Sequence, residues 1–259
     1  MSESVEIDWD GRRVRIEHRW VEGPASAPLL VFLHEGLGSV AMWKDFPDRL
    51  CAACGVRGLV YSRPGYGRST PRPPERPLAP DFMHRQAHEV LPALLVALGV
   101  SEPPVLIGHS DGGSIALLFA ARFPQALRGL IVMAPHIFVE PLSVASIREA
   151  RSAWEQTDLP RRLARYHDDV ESVFRGWNDI WLQPEFEAWN IEAEIKAIAC
   201  PVLALQGVDD EYGTLGQIRG IAQGVPQTKL VELPACGHSP HRDQPEAVIA
   251  AVGDFLKLL

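Results

Sequence analysis

The run Gly108-His109-Ser110-Asp111-Gly112 lies between an apolar stretch, Pro104 to Ile107, and an alanine-rich helical stretch, Gly113 to Phe123. Strand, sharp turn and helix in that order form a G-x-S-x-G elbow, which presents a serine hydroxyl as a nucleophile. A strand that turns directly into a helix crowds its neighbours, and glycines at 108 and 112 remove the Cβ atoms that would collide. Ser110 is then exposed at the strand's C-terminal end. The helix N-terminus beside it offers free N–H groups suited to a developing oxyanion.

A serine hydroxyl is a weak nucleophile until a base takes its proton, and the base needs a third group to hold its tautomer and stabilise its cation. Candidates follow two later apolar runs. Val202 to Gly207 leads into Val208-Asp209-Asp210-Glu211, and Lys229 to Leu233 leads into Gly237-His238-Ser239-Pro240-His241. Asp209 and Asp210 compete for the acid, His238 and His241 for the base. The tight Gly237 turn directly after a strand favours His238. His109 beside Ser110 reads as an elbow packing residue, His34 as a loop-shaping hydrogen-bond partner near the pocket, and His136 as a residue after a strand end that either lines the pocket or has a capping or structural role. The Asp111 carboxylate would oppose a developing oxyanion, so its side chain is expected to point away or to bind a polar partner.

Short apolar runs at Pro28 to Leu33, Gly58 to Tyr61, Val105 to Ile107, Leu130 to Met133, Val202 to Leu205 and Lys229 to Leu233 predict buried parallel strands. Helical patterns at Trp43 to Cys54, Phe82 to Leu98, Ser114 to Phe123, Gln217 to Ala222 and Pro245 to Leu258 alternate with them, the signature of an α/β fold with a mostly parallel central sheet. Val5 to Trp9 and Arg12 to Trp20 alternate apolar with polar around Asp10-Gly11, predicting an antiparallel N-terminal hairpin with a type I′ turn. Pro71 to Pro80 reads as a surface loop. The last helix is expected to pack its apolar face inward. The strand–helix alternation breaks over 137–198, which reads as a helical cap inserted into a core of residues 1–136 and 199–259. Each of its tryptophans, Trp154, Trp177, Trp181 and Trp189, could simply glue the cap down. As a group they suggest an apolar or aromatic cavity, with Trp154, Trp177 and Trp181 as pocket candidates beside His34, His109 and His136.

The chain has 46% hydrophobic and 22% charged residues and a net charge of −8, which disfavours a nucleic-acid footprint or an anionic-membrane surface and favours small-molecule chemistry. An acidic N-terminus with no apolar h-region, and no long uncharged apolar run, predict a cytoplasmic protein. Four cysteines are too few for a disulfide scaffold, and Cys51-Ala52-Ala53-Cys54 reads as two packed thiols. No metal-spaced cluster or dinucleotide glycine motif is present, so no cofactor is expected. A monomer and a homodimer are both compatible with the sequence.

Four landmarks, reinforced by a fifth stretch, make the chain resemble the α/β-hydrolase fold serine hydrolases, the family of carboxylesterases, meta-cleavage-product hydrolases and proline iminopeptidases. They are the elbow at Gly108–Gly112, the G-x-x-D pattern of Gly207-Val208-Asp209-Asp210, Gly237-His238-Ser239-Pro240, and His34-Glu35-Gly36-Leu37-Gly38-Ser39, which is similar to the family's H-G-x-x-G-S loop. Ser62-Arg63-Pro64-Gly65-Tyr66-Gly67-Arg68-Ser69 is similar to its D-x-x-G-x-G-x-S stretch. The resemblance implies a Ser110, Asp210, His238 triad in the family's chain order. It also implies an oxyanion hole of the Gly36 and Asp111 N–H groups, with Leu37 as fallback because Glu35 replaces the usual glycine. Ser62 replaces the usual aspartate, a local structural change.

The expected activity is hydrolysis of a small to medium carboxylic ester through an acyl-enzyme on Ser110. C–C bond hydrolysis of a meta-cleavage product uses the same triad and would need polar side chains such as Arg63, Arg148, Arg151 or Asn178 in the pocket. A non-catalytic small-molecule receptor on the same fold is the alternative of another class.

Overall fold

The computed structural model describes residues 2–73 and 75–259. Met1 lies outside the described residues, as does Pro74 within the 71–80 stretch; the rest of that stretch carries no helix or strand.

Among the described residues eight strands form one sheet: β1 (Glu3–Trp9), β2 (Arg12–Val21), β3 (Leu29–Leu33), β4 (Arg57–Tyr61), β5 (Val105–His109), β6 (Gly129–Met133), β7 (Val202–Gly207) and β8 (Thr228–Leu233). Their spatial order is β1-β2-β4-β3-β5-β6-β7-β8. The hairpin β1–β2 is antiparallel and joins β4 antiparallel, while β3 to β8 all run parallel. Asp10 and Gly11 both have positive φ, 55° and 72°, as a type I′ turn requires.

The helices are α1 (Phe46–Cys54), α2 (Phe82–Arg85), α3 (Leu91–Ala97), α4 (Asp111–Arg122), α5 (Pro141–Gln156), α6 (Leu159–Leu163), α7 (Val170–Trp181), α8 (Gly216–Gly224), α9 (Pro240–Asp243) and α10 (Pro245–Leu256). Because helices cover both faces, the central strands are apolar on both sides, and alternate residues feed two cores. Val31 and Leu33 of β3 join Leu106 of β5 under α3 and α4. Leu30 and Phe32 join Val105 and Ile107 over α1 and α10. Each such side chain contributes about 1.5–3 kcal/mol by leaving water. Val248, Val252 and Phe255 of α10 are buried in the second core, so its apolar face turns inward.

The helix expected over Phe82–Leu98 is interrupted. Between α2 and α3, Gln86–Val90 forms a π turn in which the Leu91 N–H reaches the Gln86 carbonyl. Pro92 explains the widening, since it has no N–H to give the His88 carbonyl one turn back and its ring would press on that oxygen. Cys51 is buried and Cys54 partly so, both as free thiols, and burial pushes the Cys51 thiol up to about 12. That suits packing rather than redox chemistry.

Helices α5, α6 and α7 follow β6 and precede β7. Helix α7 is amphipathic, burying Val173, Phe174, Trp177, Ile180 and Trp181 along one face. Its start is capped by Asp169, which accepts from the Ser172 N–H. Asn178, fully buried, donates to the Ile147 carbonyl at 2.8 Å and accepts from Arg151 Nε at 2.6 Å, tying α7 to α5. Among the described residues no helix is long and apolar enough to cross a membrane.

Candidate active site

The C-terminal ends of β3, β5, β6, β7 and β8 bring the chemistry-bearing residues together. Ser110 sits between the last residue of β5 and the first of α4 with φ 52° and ψ −122°. A non-glycine residue at positive φ carries strain of about 1–3 kcal/mol. The surroundings hold it there: the Ser110 N–H donates to the Met133 carbonyl at 2.9 Å, and a Cβ on Gly108 would stand 2.3 Å from the Gly112 carbonyl oxygen. Only glycine allows the strand and helix to approach so closely.

His238 Nε2 lies 3.0 Å from Ser110 Oγ, and His238 Nδ1 lies 2.8 Å from Asp210 Oδ1. Asp210 follows β7 and is almost fully buried. It also accepts from the Tyr212 N–H at 2.8 Å and from Gln206 Nε2 at 3.0 Å. Burial alone would raise its carboxyl, but the hydrogen bond and charge of His238 and the Tyr212 N–H outweigh this and hold it below the usual range. Asp209 is exposed. His241 is packed between Trp43 and Phe46, its ring 4.9 and 5.4 Å from theirs, and burial pushes it well below its ordinary value. Of the two aspartates Asp210, and of the two histidines His238, join Ser110 in one hydrogen-bonded chain.

His109 donates through Nε2 to the His238 carbonyl at 2.7 Å, the only role open to a nitrogen facing a carbonyl oxygen, and so braces the loop that carries His238. Its Nδ1 faces Glu35 Oε2 at 3.8 Å. His34 lies behind the cavity wall rather than on it. Its Nδ1–H donates to the Glu35 carbonyl at 2.7 Å while Nε2 accepts the Arg63 N–H at 3.0 Å, which assigns the neutral tautomer, and burial keeps its basicity low. Arg63 Nη2, at 2.8 Å, and the Gly38 N–H, at 3.1 Å, also reach the Glu35 carbonyl. With three donors fixing that carbonyl, the Gly36 N–H, antiparallel to it across a trans peptide, is turned the opposite way. Gly36 and Leu37 both line the cavity. Where Ser62 replaces the family's aspartate, Glu17 of β2 supplies the carboxylate: Ser62 Oγ donates to it at 2.7 Å and accepts the Val40 N–H at 2.9 Å.

The cavity at Ser110 and His238 has a volume of about 160 Å³. Met42, Ile147, Leu163, Trp177 and Trp181 form its apolar wall; Glu35, Asp111, His136 and Tyr212 add polar groups. Larger hollows of about 430 and 540 Å³ lie on the surface near Arg175 and Arg128, but none of their walls carries a member of the hydrogen-bonded chain above, so chemistry places the candidate site in the smaller cavity. Trp154 does not line it; its ring stacks on Phe174 at 4.1 Å. Trp177 packs so tightly on Gly36 that a Cβ there would stand 2.1 Å from the indole nitrogen. His136 lines the cavity against the Trp181 ring at 4.9 Å, and burial lowers it to about 3.

Asp111 follows one half of the expectation. Its side chain lines the cavity instead of turning away, and its polar partner is Arg63, a buried ion pair with Nη1 3.9 Å from Oδ2, while neither carboxylate oxygen is within hydrogen-bond geometry of a donor among the described residues. As the first residue of α4 its Cα–Cβ bond tilts back toward the helix N-terminus, which is the elbow itself. Burial raises its carboxyl above the ordinary value. Met42, Tyr212 and Gln206 carry no signal in the sequence that points to the cavity. Glu35 carries one, as an acidic residue in a glycine position.

The sequence model of the Alpha/beta hydrolase family matches residues 30–251, from β3 into α10. The chain belongs to this family. Among characterised members it is 25% identical to the sn-1-specific diacylglycerol lipase ABHD11 of Mus musculus, over 95% of this chain and 87% of that protein. It is 28% identical to the 2-succinyl-6-hydroxy-2,4-cyclohexadiene-1-carboxylate synthase of Klebsiella pneumoniae subsp. pneumoniae, over 90% of this chain and 96% of the synthase. The solved structure of a thermophilic esterase from Thermogutta terrifontis superposes with a TM-score of 0.72 at 22% identity, covering 99% of this chain and 98% of that one, and so shares its fold. The alpha/beta hydrolase family thus accounts for the sheet and the elbow, while its members differ widely in what they act on.

Proposed function

We propose that the chain is a serine hydrolase that cleaves a small carboxylic ester through an acyl-enzyme on Ser110. The observation that carries this reading is the unbroken chain of hydrogen bonds from Ser110 Oγ through both nitrogens of His238 to Asp210. His238 removes the Ser110 proton as Oγ attacks the ester carbonyl, and the Gly36 and Asp111 N–H groups receive the negative oxygen. His238 then passes the proton to the departing alcohol. A water deprotonated by the same imidazole releases the acid, while Asp210 holds the ring in position. Each oxyanion donor is worth about 10²–10³ in kcat.

In this reading residues 137–198 act as a helical cap on a core of 1–136 and 199–259, and the cap residues Ile147, Leu163, Trp177 and Trp181 set the apolar limit of the substrate. A cavity of about 160 Å³ favours the small end of the expected ester range. The side chains that C–C hydrolysis would need do not line the cavity: Arg151 and Asn178 join α5 to α7, Arg148 is exposed, and Arg63 lies behind Asp111 with Nη2 on the Glu35 carbonyl. That observation favours the ester.

Hydrolysis of p-nitrophenyl esters of increasing acyl length, with Ser110→Ala as control, tests the reading. Turnover of short esters that vanishes in the variant is expected. A folded wild-type protein with no turnover on any ester would overturn it in favour of C–C cleavage or ligand sensing.

A further inference from the structure

We propose that Asp111 and Trp181 form a subsite for a hydroxyl group, so that the preferred substrates are short esters whose acyl chain carries a hydroxyl near the carbonyl. The inference rests on the serine-hydrolase reading and names the substrate class of that site.

Asp111 and Trp181 are each 1% exposed, and both line the cavity at Ser110. Both Asp111 carboxylate oxygens and Trp181 Nε1 are buried without a hydrogen-bond partner among the described residues. The indole N–H approaches the carboxylate closely enough to counter the effect of burial on it, but falls short of hydrogen-bond geometry, so the contact leaves both atoms unsatisfied. On its other side the carboxylate has Arg63, whose Nη1 at 3.9 Å lies beyond hydrogen-bond distance. Buried polar atoms are normally satisfied, and a donor and an acceptor left open together on the wall of a reaction cavity mark the place of a polar group on the ligand.

The pair is selective in kind. A hydroxyl can give its proton to Asp111 and accept the Trp181 N–H on its own oxygen, satisfying both at once. An ammonium has only donors; it would leave the indole N–H open and bring a second cation toward Arg63. A carboxylate would meet the charge of Asp111. An alkyl chain would bury both polar atoms with nothing in exchange, and sites built to bind a hydroxyl discriminate strongly against the analogue without it. The residue after the nucleophile is adjacent to the reacting carbonyl, so the hydroxyl belongs close to it, on C2 or C3 of the acyl chain. The cavity, about 160 Å³, is close to that of a roughly 150 Å³ protein cavity that holds benzene, which limits the acyl group to a few carbons.

The test compares kcat/KM for ethyl butyrate, ethyl 2-hydroxybutyrate, ethyl 3-hydroxybutyrate and ethyl 3-aminobutyrate in the wild type, Trp181→Phe, Asp111→Ala and Asp111→Asn. A hydroxy ester is expected to exceed ethyl butyrate by more than about tenfold. That ratio should collapse toward one in Trp181→Phe and Asp111→Ala and survive in part in Asp111→Asn, which keeps an acceptor oxygen. The ratio cancels general damage to the enzyme. A wild-type ratio near one, a ratio unchanged by all three substitutions, or preference for the amino ester would overturn the proposal.

Calorimetric binding of ethyl 3-hydroxybutyrate and ethyl butyrate to Ser110→Ala needs no turnover and separates the two readings. If the wild type hydrolyses none of the esters and Ser110 is not labelled by a fluorophosphonate, the hydrolase reading fails. Tighter binding of the hydroxy ester would still sustain the subsite, and equal binding would remove it.

Discussion

Gly112 faces the end of β3 so closely that a Cβ on it would stand 2.1 Å from the Leu33 carbonyl oxygen and 2.6 Å from that of His34. The elbow that carries Ser110 is thereby locked to the strand that leads into the Glu35–Gly38 turn, and Ser110 and that turn keep one relative position.

Gly112→Ala should therefore damage the fold itself, because the obstructing atoms are backbone and cannot swing aside. A loss of about 1–3 kcal/mol or more in urea unfolding is expected. Gly36→Ala meets the Trp177 ring instead. Displacing the loop in that variant should lower kcat by about 10²–10³ while costing less stability. Equal unfolding midpoints for Gly112→Ala and wild type would contradict the close approach.

Asp210→Asn should reduce kcat on p-nitrophenyl acetate by about 10⁴, since the amide can no longer hold the imidazole in the required tautomer. Asp209→Asn, at an exposed position one residue earlier, should stay within about twofold of wild type. The reverse outcome would move the acid to Asp209.

His136 links stability to pH. Unfolded, it gains a proton near pH 6.5; folded, burial delays this to about pH 3. Between those values the unfolded state binds more protons, so stability falls as pH falls. His136→Phe removes that proton from the balance, and its unfolding free energy should decline less steeply with acidification, by about 1.4 kcal/mol per pH unit. Urea unfolding at pH 7, 6 and 5 measures the slope; parallel lines for the two proteins would refute the assignment.

Asn178→Ala should loosen α5 from α7. The Ile147 carbonyl loses its 2.8 Å donor, and Arg151 Nε loses its acceptor. A stability loss of about 1–3 kcal/mol is expected. KM should rise more than kcat falls, because Ile147 and Trp181 form cavity wall while Ser110 and His238 stand on other elements. A fall in kcat at constant KM would place the effect in the chemistry instead.

The fold was legible because its signals are local. Apolar runs such as Val105–Ile107 are buried on both faces, and Asp10-Gly11 has the residue types that accept positive φ, so strand type and hairpin follow from neighbouring residues alone. The helix through Gln86–Val90 shows how little can alter the outcome: Pro92 was visible, but whether it would end, kink or widen the helix depended on packing around it.

The amino-acid sequence by itself determined the α/β class, the elbow at Ser110 and the small set of acids and histidines from which a site could be built, since these depend on residue type and short spacing. Tertiary structure decided which of them meet. Asp210 rather than Asp209 faces His238, and His241 is enclosed by Trp43 and Phe46. Trp154 stacks away from the cavity, and Asp111 turns into it. Those outcomes depend on where loops from β3, β5, β7 and β8 converge, and side-chain direction at such a junction is set by contacts between residues more than a hundred positions apart, such as Ser110 and His238, which no local pattern encodes.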